Sequence, residues 1–373
     1  MDEMDYTHSL SRRNFVSGLA GASAGAFLAS RGAIAQTSTD NPRRIDTHLH
    51  VFPPEYVSML KGINVSPAGW DRWSLAKMIE DMDRYGTAQG VTSITLPGVW
   101  FGEAQFARKV ARACNEYAAK LMSDYKGRFG MFAVVPLPDI DGSLREIEYA
   151  MDTLKADGIC MYTQNTDEAK GFHDRSPGDP YFNPVHEELN RRKAVVYTHP
   201  KGPDCCSNLV PGVGGTMIEY GAATSRCIAS LIFSGNTTKF PDTKWIFSHG
   251  GGVTPYVLER FLTGTAAEIV PGVVTKGQGG TGKVGDNPKN VPNGVLYELR
   301  RMYYDCAQCA NMIAMRALRT MVPVSQILFG TDYPFRSAGE TGQGLVASAV
   351  FDAGELRAVN RENALRLLPR FRA

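Results

Sequence analysis

No stretch of this 373-residue chain reaches about 18 consecutive apolar residues, so no segment is long enough to cross a bilayer as a helix. Neither charge is in surplus: 40 basic side chains face 38 acidic ones, for a net of +2. With no run of Lys and Arg, the chain lacks the basic face that nucleic acids require, and the expected partner is a small molecule. Cysteine is sparse, and its seven copies are an odd number, so a monomer keeps at least one free thiol. Cys306-x-x-Cys309 has redox or zinc spacing, but no second such pair completes a structural zinc site. Gly277-x-x-x-x-Gly282-Lys283 imitates a phosphate loop, yet Val284 stands where Ser or Thr is needed and no strand precedes it. Internal repeats of 20–50 residues are absent as well. What remains is an ordinary globular composition, 43% hydrophobic and 21% charged.

The first 35 residues read as an address rather than as fold. Ser11-Arg12-Arg13-Asn14-Phe15-Val16 is a twin-arginine string, and a mild apolar stretch rich in Gly and Ala follows it. Ala33-Ile34-Ala35 then offers a small-x-small cleavage site before Gln36. A periplasmic or exported protein is therefore expected, delivered by the twin-arginine route. Residues 36–373 are expected to form one domain.

In that domain, short β-branched or aromatic runs alternate with amphipathic stretches. The strand expectations are Arg44–Phe52, Val91–Pro97, Arg128–Leu137, Gly158–Asn165, Ala194–His199, Lys244–His249, Met302–Ala307 and Gln326–Tyr333. Helical periodicity marks Glu103–Lys126, Asp141–Ala156, Asn183–Arg192, Thr216–Ser234 and Cys309–Met321, with Asp141 as the expected cap of the second. Eight such alternations predict an α/β fold of the closed (β/α)8 barrel type. A doubly wound sheet would open with a glycine-rich turn after its first strand, where this chain has His-Leu-His-Val-Phe-Pro-Pro. The Gly-, Pro- and Lys-rich segment at about 271–294 breaks the rhythm and reads as an irregular insertion.

Barrel enzymes keep their chemistry at the C-terminal ends of strands, and four of the chain's seven histidines fall there. His48 and His50 are two apart in an extended segment, so they share a face. Two imidazoles on one face of a buried strand suit zinc or another first-row divalent ion. His199 ends the fifth strand. His249 ends the sixth and precedes three glycines, which are expected to let the backbone approach a ligand. Asp332 lies just past the strongly apolar eighth strand. Trp100 after the second strand and Arg336 after the Asp332 turn are candidates for lining a pocket against an aromatic acid. His173 and Asp305 are weaker candidates, and His186 reads as structural.

This set resembles the amidohydrolase superfamily, in its branch of metal-dependent decarboxylases of aminocarboxymuconate semialdehyde, γ-resorcylate and 6-methylsalicylate. Gly127-Arg128-Phe129, Val135-Pro136-Leu137-Pro138, Thr198-His199-Pro200, Ser248-His249-Gly250-Gly251-Gly252 and Phe329-Gly330-Thr331-Asp332-Tyr333-Pro334 carry the likeness. It implies an amidohydrolase-type barrel with His48, His50, His199 and Asp332 as metal ligands, and with His249 and Asp332 as catalytic groups. Arg260 matches an arginine that in relatives grips the substrate carboxylate, sometimes across subunits, which implies a homodimer. Strand four ends Met161-Tyr162-Thr163-Gln164-Asn165, without the bridging lysine of binuclear members, so one metal ion is expected, zinc before manganese.

The implied reaction is non-oxidative decarboxylation of a small aromatic, salicylate-like, or unsaturated carboxylic acid. The same parts support a hydrolase or lactonase that uses an activated water. A barrel that binds a metal or ligand without turnover is the third reading.

Overall fold

The computed structural model describes residues 41–206, 209–262, 266–270, 273–276 and 289–372. The expected signal segment, and the phosphate-loop imitation at 277–283, lie outside the described residues. Among the described residues no helix is long and apolar enough to cross a membrane.

Eight strands pair side by side in one sheet: β1 (Arg44–His50), β2 (Thr87–Ser93), β3 (Phe129–Val134), β4 (Gly158–Tyr162), β5 (Val195–His199), β6 (Lys244–Phe247), β7 (Tyr303–Asp305) and β8 (Ile327–Leu328). Every neighbouring pair is parallel. Parallel strands need covered crossovers, and helices supply them, among them α1 (Leu75–Arg84), α2 (Ala104–Asp124), α3 (Ile140–Glu148), α4 (Asn183–Arg191), α5 (Gly215–Phe233), α6 (Met312–Met321) and α7 (Ala338–Ala347). The chain is a (β/α)8 barrel.

The barrel is closed through backbone that runs on past β8. Thr47 N donates to Phe329 O at 3.0 Å, Asp332 N to His48 O at 2.8 Å and His50 N to Tyr333 O at 3.0 Å. Inside, Ile45, Val91, Phe132, Cys160, Tyr197, Ile246 and Leu328 form one apolar cluster, with one residue from each of seven strands. Leu367, Leu368 and Phe371 join it and plug the end away from the histidines. Polar chemistry is thereby confined to the other mouth.

Seven strands fall within their expected spans, and several stop earlier; β2 instead begins at Thr87, four residues before the expected Val91, and ends at Ser93. β6 ends at Phe247 and β8 has two residues, because the polar segments that follow leave the ladder to build the site. Asp139, not Asp141, caps α3, its side chain accepting from Gly142 N at 3.1 Å. The helix then continues as a wider turn over Tyr149–Thr153. The glycines after His249 are required by the fold itself. Gly250, Gly251 and Gly252 all have left-handed φ, and a Cβ on Gly251 would meet the Tyr304 ring at 2.8 Å.

In the region expected to be irregular, Val273–Lys276 pairs antiparallel with Ala266–Val270. All seven cysteines are free. Cys306 and Cys309 turn their thiols toward carbonyls of Gly330 and Asp305, so their spacing reflects a turn and not a metal site.

Closure depends on one buried carboxylate. Asp46 accepts from His48 N at 2.9 Å, Thr331 N at 3.1 Å and Thr331 Oγ1 at 2.6 Å, tying β1 to the segment after β8. Removing the hydroxyl donor in Thr331→Val leaves that oxygen buried without it. The substitution is expected to cost about 1–3 kcal/mol of stability, read as a lowered urea midpoint with an unchanged slope.

Candidate metal centre

His48 and His50 project from the end of β1, His199 from the end of β5, and Asp332 from the turn after β8. Their ligating atoms all lie within 4.8 Å of one another, and all four residues are buried. His48 Nε2 is 3.1 Å from His50 Nε2, and Asp332 Oδ1 is 3.0 Å from His50 Nε2 and 3.3 Å from His48 Nε2.

The other ring nitrogens are already engaged. Asp305 Oδ2 accepts from His48 Nδ1 at 2.8 Å, and the Pro200 carbonyl accepts from His199 Nδ1 at 2.9 Å. Ser93 Oγ stands 3.2 Å from His50 Nδ1. With the Nδ1 protons of His48 and His199 so fixed, their Nε2 lone pairs turn inward, toward His50 Nε2 and a carboxylate oxygen. Asp332 Oδ1 is buried and has no hydrogen-bond partner among the described residues. Thr95 Oγ1 stands 3.3 Å from His199 Nε2; with His48 neutral, the nitrogens and Asp332 Oδ1 converge as acceptors, which is costly unless a cation sits between them. Three imidazole nitrogens and one carboxylate oxygen are a donor set that fits one divalent ion.

The electrostatics agree. Burial works against a charged His48, but Asp305 and Asp332 outweigh it and drive its pKa up to about 10, so the pocket calls for positive charge. Burial holds His50 below its usual range and His199 well below it, which leaves neutral rings with free lone pairs. Burial also opposes ionisation of Asp332, yet the charge of His48 and the histidines around it hold its carboxyl well below the usual range. Ligands must be deprotonated to bind a metal, and three of these four are held that way.

His249 stands beside the cluster, its Nε2 3.4 Å from Asp332 Oδ2. The His249 amide donates to Asp305 Oδ1 at 2.9 Å, so the carboxylate that orients His48 also places His249. His249 and Asp332 both have left-handed backbone, at φ 55° and 67°. Such strain in non-glycine residues collects at functional sites.

The amidohydrolase family matches residues 45–370. The chain belongs to that family. A decarboxylase of Aspergillus niger is 32% identical over 346 residues, covering 88% of each chain. The 6-methylsalicylic acid decarboxylase of Aspergillus aculeatus is 31% identical over 339 residues, covering 88% of this chain and 97% of that one. The crystal structure of a dihydroxybenzoic acid decarboxylase from a Polaromonas species, with bound manganese and the inhibitor 2-nitroresorcinol, has the same fold. Its TM-score is 0.72 at 20% identity, covering 88% of this chain and 98% of that one.

Around the amidohydrolase centre the expected pocket residues separate. Arg336 is exposed and bonds to Gln308 Oε1 at 3.1 Å and Glu340 Oε1 at 3.1 Å, so it reaches the cluster only through Gln308. Trp100 is half-buried after β2, and among the described residues no ring contact or hydrogen bond joins it to the cluster. Arg260 is exposed on the short helix Leu258–Phe261. His173 is exposed on a hairpin over the loop after β4. His186 is buried and donates from Nε2 to Pro177 O at 2.7 Å, as a structural residue does.

Rings that flank the histidines are Tyr162 and Tyr220, 6.1 and 6.3 Å from His199, Phe335, 6.3 Å from His50, and the buried Tyr197, 5.2 Å from His48. Phe335, three residues after Asp332, was within reach of sequence reasoning; Tyr220 comes from the middle of α5 with no local signal.

Asp305 is the hinge of this arrangement. In Asp305→Asn one amide must face the His48 ring proton and the two backbone N–H groups of His249 and Ala307, which leaves donors opposed. Metal affinity, read by competition with a chelator, is expected to fall about 10–100-fold.

Proposed function

We propose that this amidohydrolase is a non-oxidative decarboxylase of a small aromatic acid that carries a hydroxyl ortho to its carboxylate. The observation that carries the reading is the four-donor cluster with His249 at its edge and aromatic rings around it. His48, His50, His199 and Asp332 would hold a divalent ion, which would supply Lewis acidity to neutralise the carboxylate and hydroxyl oxygens of the substrate. Zinc is the proposed ion, because imidazole-rich sets suit it. The manganese of the related decarboxylase structure is the alternative, and elemental analysis of the purified protein separates the two.

The remaining work falls to side chains of the chain itself. Tyr162, Tyr220 and Phe335 offer apolar walls to a planar ring. His249, anchored through its backbone to Asp305, gives a proton from Nε2 to the ring carbon that bears the carboxylate. That carbon becomes tetrahedral and the ring loses aromaticity. The bond to the carboxylate then breaks, its electron pair restores the ring, and CO₂ leaves. His249 recovers its proton from water.

The experiment is CO₂ release by the metal-loaded protein across a panel of ortho-hydroxybenzoates. Release is expected, abolished by a chelator and lowered about 10²–10⁴-fold in His249→Ala, which keeps its metal. Hydrolysis of esters or lactones with no CO₂ from any acid would overturn this reading in favour of a hydrolase.

We also propose that the chain works as a homodimer. Near Arg260, an apolar groove is lined by Pro255, Leu258, Met312, Ile313, Arg316 and Met321, and Tyr256 and Ile313 are 62% and 66% exposed. Exposed apolar surface of this kind suits a second copy. Sedimentation equilibrium is expected to give twice the chain mass, and Tyr256→Glu to lower it; a wild-type mass of one chain overturns the proposal.

A further inference from the structure

The second oxygen of Asp332 is held by a chain of side chains that starts at the surface. Gln308 donates from Nε2 to Asp332 Oδ2 at 3.0 Å, and Arg336 donates from Nε to Gln308 Oε1 at 3.1 Å. Arg336 donates also to Glu340 at 3.1 Å, and Glu340 completes the capping box of α7 with Ser337. A guanidinium has only donors, so the face of the Gln308 amide toward Arg336 must be its oxygen. The NH₂ group is thereby turned to Asp332, and the amide cannot flip without opposing two donors.

Backbone geometry supports the same point. Gln308 has φ 57°, in the left-handed region, as His249 and Asp332 do at 55° and 67°. Three strained non-glycine residues thus meet at one carboxylate oxygen, Asp332 Oδ2. A glycine at 308 would relieve the strain, so the glutamine side chain is there against the preference of its backbone.

We propose that Gln308, locked by Arg336, is a positioning residue: it fixes the rotation of the Asp332 carboxylate so that Oδ1 faces the histidines and Oδ2 faces His249. The proposal rests on the decarboxylase reading only for its effect on turnover; its effect on metal binding stands apart. Without Gln308 the carboxylate turns about its bond and the two duties interfere.

The test uses the full chain in Gln308→Gly, Gln308→Glu and Arg336→Met. Three readouts are taken: melting temperature, zinc affinity by chelator competition, and kcat and KM for the acid the wild type decarboxylates best. Gln308→Gly is expected to melt at or above the wild-type temperature, since glycine suits the backbone there. Its zinc affinity falls about tenfold or more, and kcat falls about 10–100-fold with KM little changed. Gln308→Glu, which sets a second carboxylate against Asp332, is worse than glycine, and Arg336→Met moves in the same direction by less.

Zinc affinity and kcat within about twofold of wild type in Gln308→Gly overturn the proposal. So does a lowered melting temperature with unchanged zinc affinity, the signature of a merely structural residue. If the wild type decarboxylates nothing, zinc affinity alone still decides the role of Gln308, and it is the functional reading that falls.

Discussion

Lone pairs crowded at one point are the constraint on which this structure is built. Three imidazole nitrogens and one carboxylate oxygen face each other in a buried space, and with neutral rings Asp332 Oδ1 has no hydrogen-bond donor among the described residues. That arrangement is costly as protein alone, and it is stable to the extent that a cation is present. Around it, Asp305, Ser93 and the Pro200 carbonyl engage the outer nitrogens. The Pro200 carbonyl and the Asp305 carboxylate are acceptors, so the His199 and His48 rings have one orientation open to them. Metal affinity is thus a property of the shell as much as of the four ligands.

The same crowding explains why the barrel closes as it does. The strand pairing of β1 with the backbone after β8 runs directly between ligands, since Asp332 N bonds to His48 O and His50 N to Tyr333 O. Fold closure and site assembly are one event. Left-handed backbone at His249, Gln308 and Asp332 is retained at the mouth where it aims side chains inward, while the apolar cluster below, from Ile45 to Leu328, carries no comparable duty. Strain is tolerated because the surrounding hydrogen bonds leave no relaxed alternative.

Much of this could be read before any coordinates. Alternation of period identified the eight strands, and His48 with His50 could be paired because extended backbone repeats every two residues. What escaped was whatever depends on distance along the chain. Asp305, only a weaker candidate in the sequence, ends β7 257 residues after His48 yet accepts from its ring, and nothing local says that Gln308, in the turn that follows, reaches Asp332. Asp139 displaced Asp141 as a cap because the turn after Pro138 left it, rather than Asp141, with non-helical backbone. Arg336 looked like a pocket residue because it is charged and close to Asp332 in sequence. Its side chain is instead engaged by Gln308 and Glu340, so proximity in sequence gave the right neighbourhood and the wrong contact.

The division between decarboxylation and hydrolysis comes down to the direction in which one proton moves at His249. A hydrolase needs that imidazole to take a proton from water; a decarboxylase needs it to give one to carbon. The surroundings of Nε2 bear on the choice. Its protein neighbour is Asp332 Oδ2, an acceptor already served by Gln308. The aromatic rings of Tyr162, Tyr220 and Phe335 favour a planar partner over a polar acyl group. An acid–base group at the edge of a pocket walled by aromatic rings is placed to act on a flat ring, and this is the physical reason for preferring loss of CO₂ over attack by water.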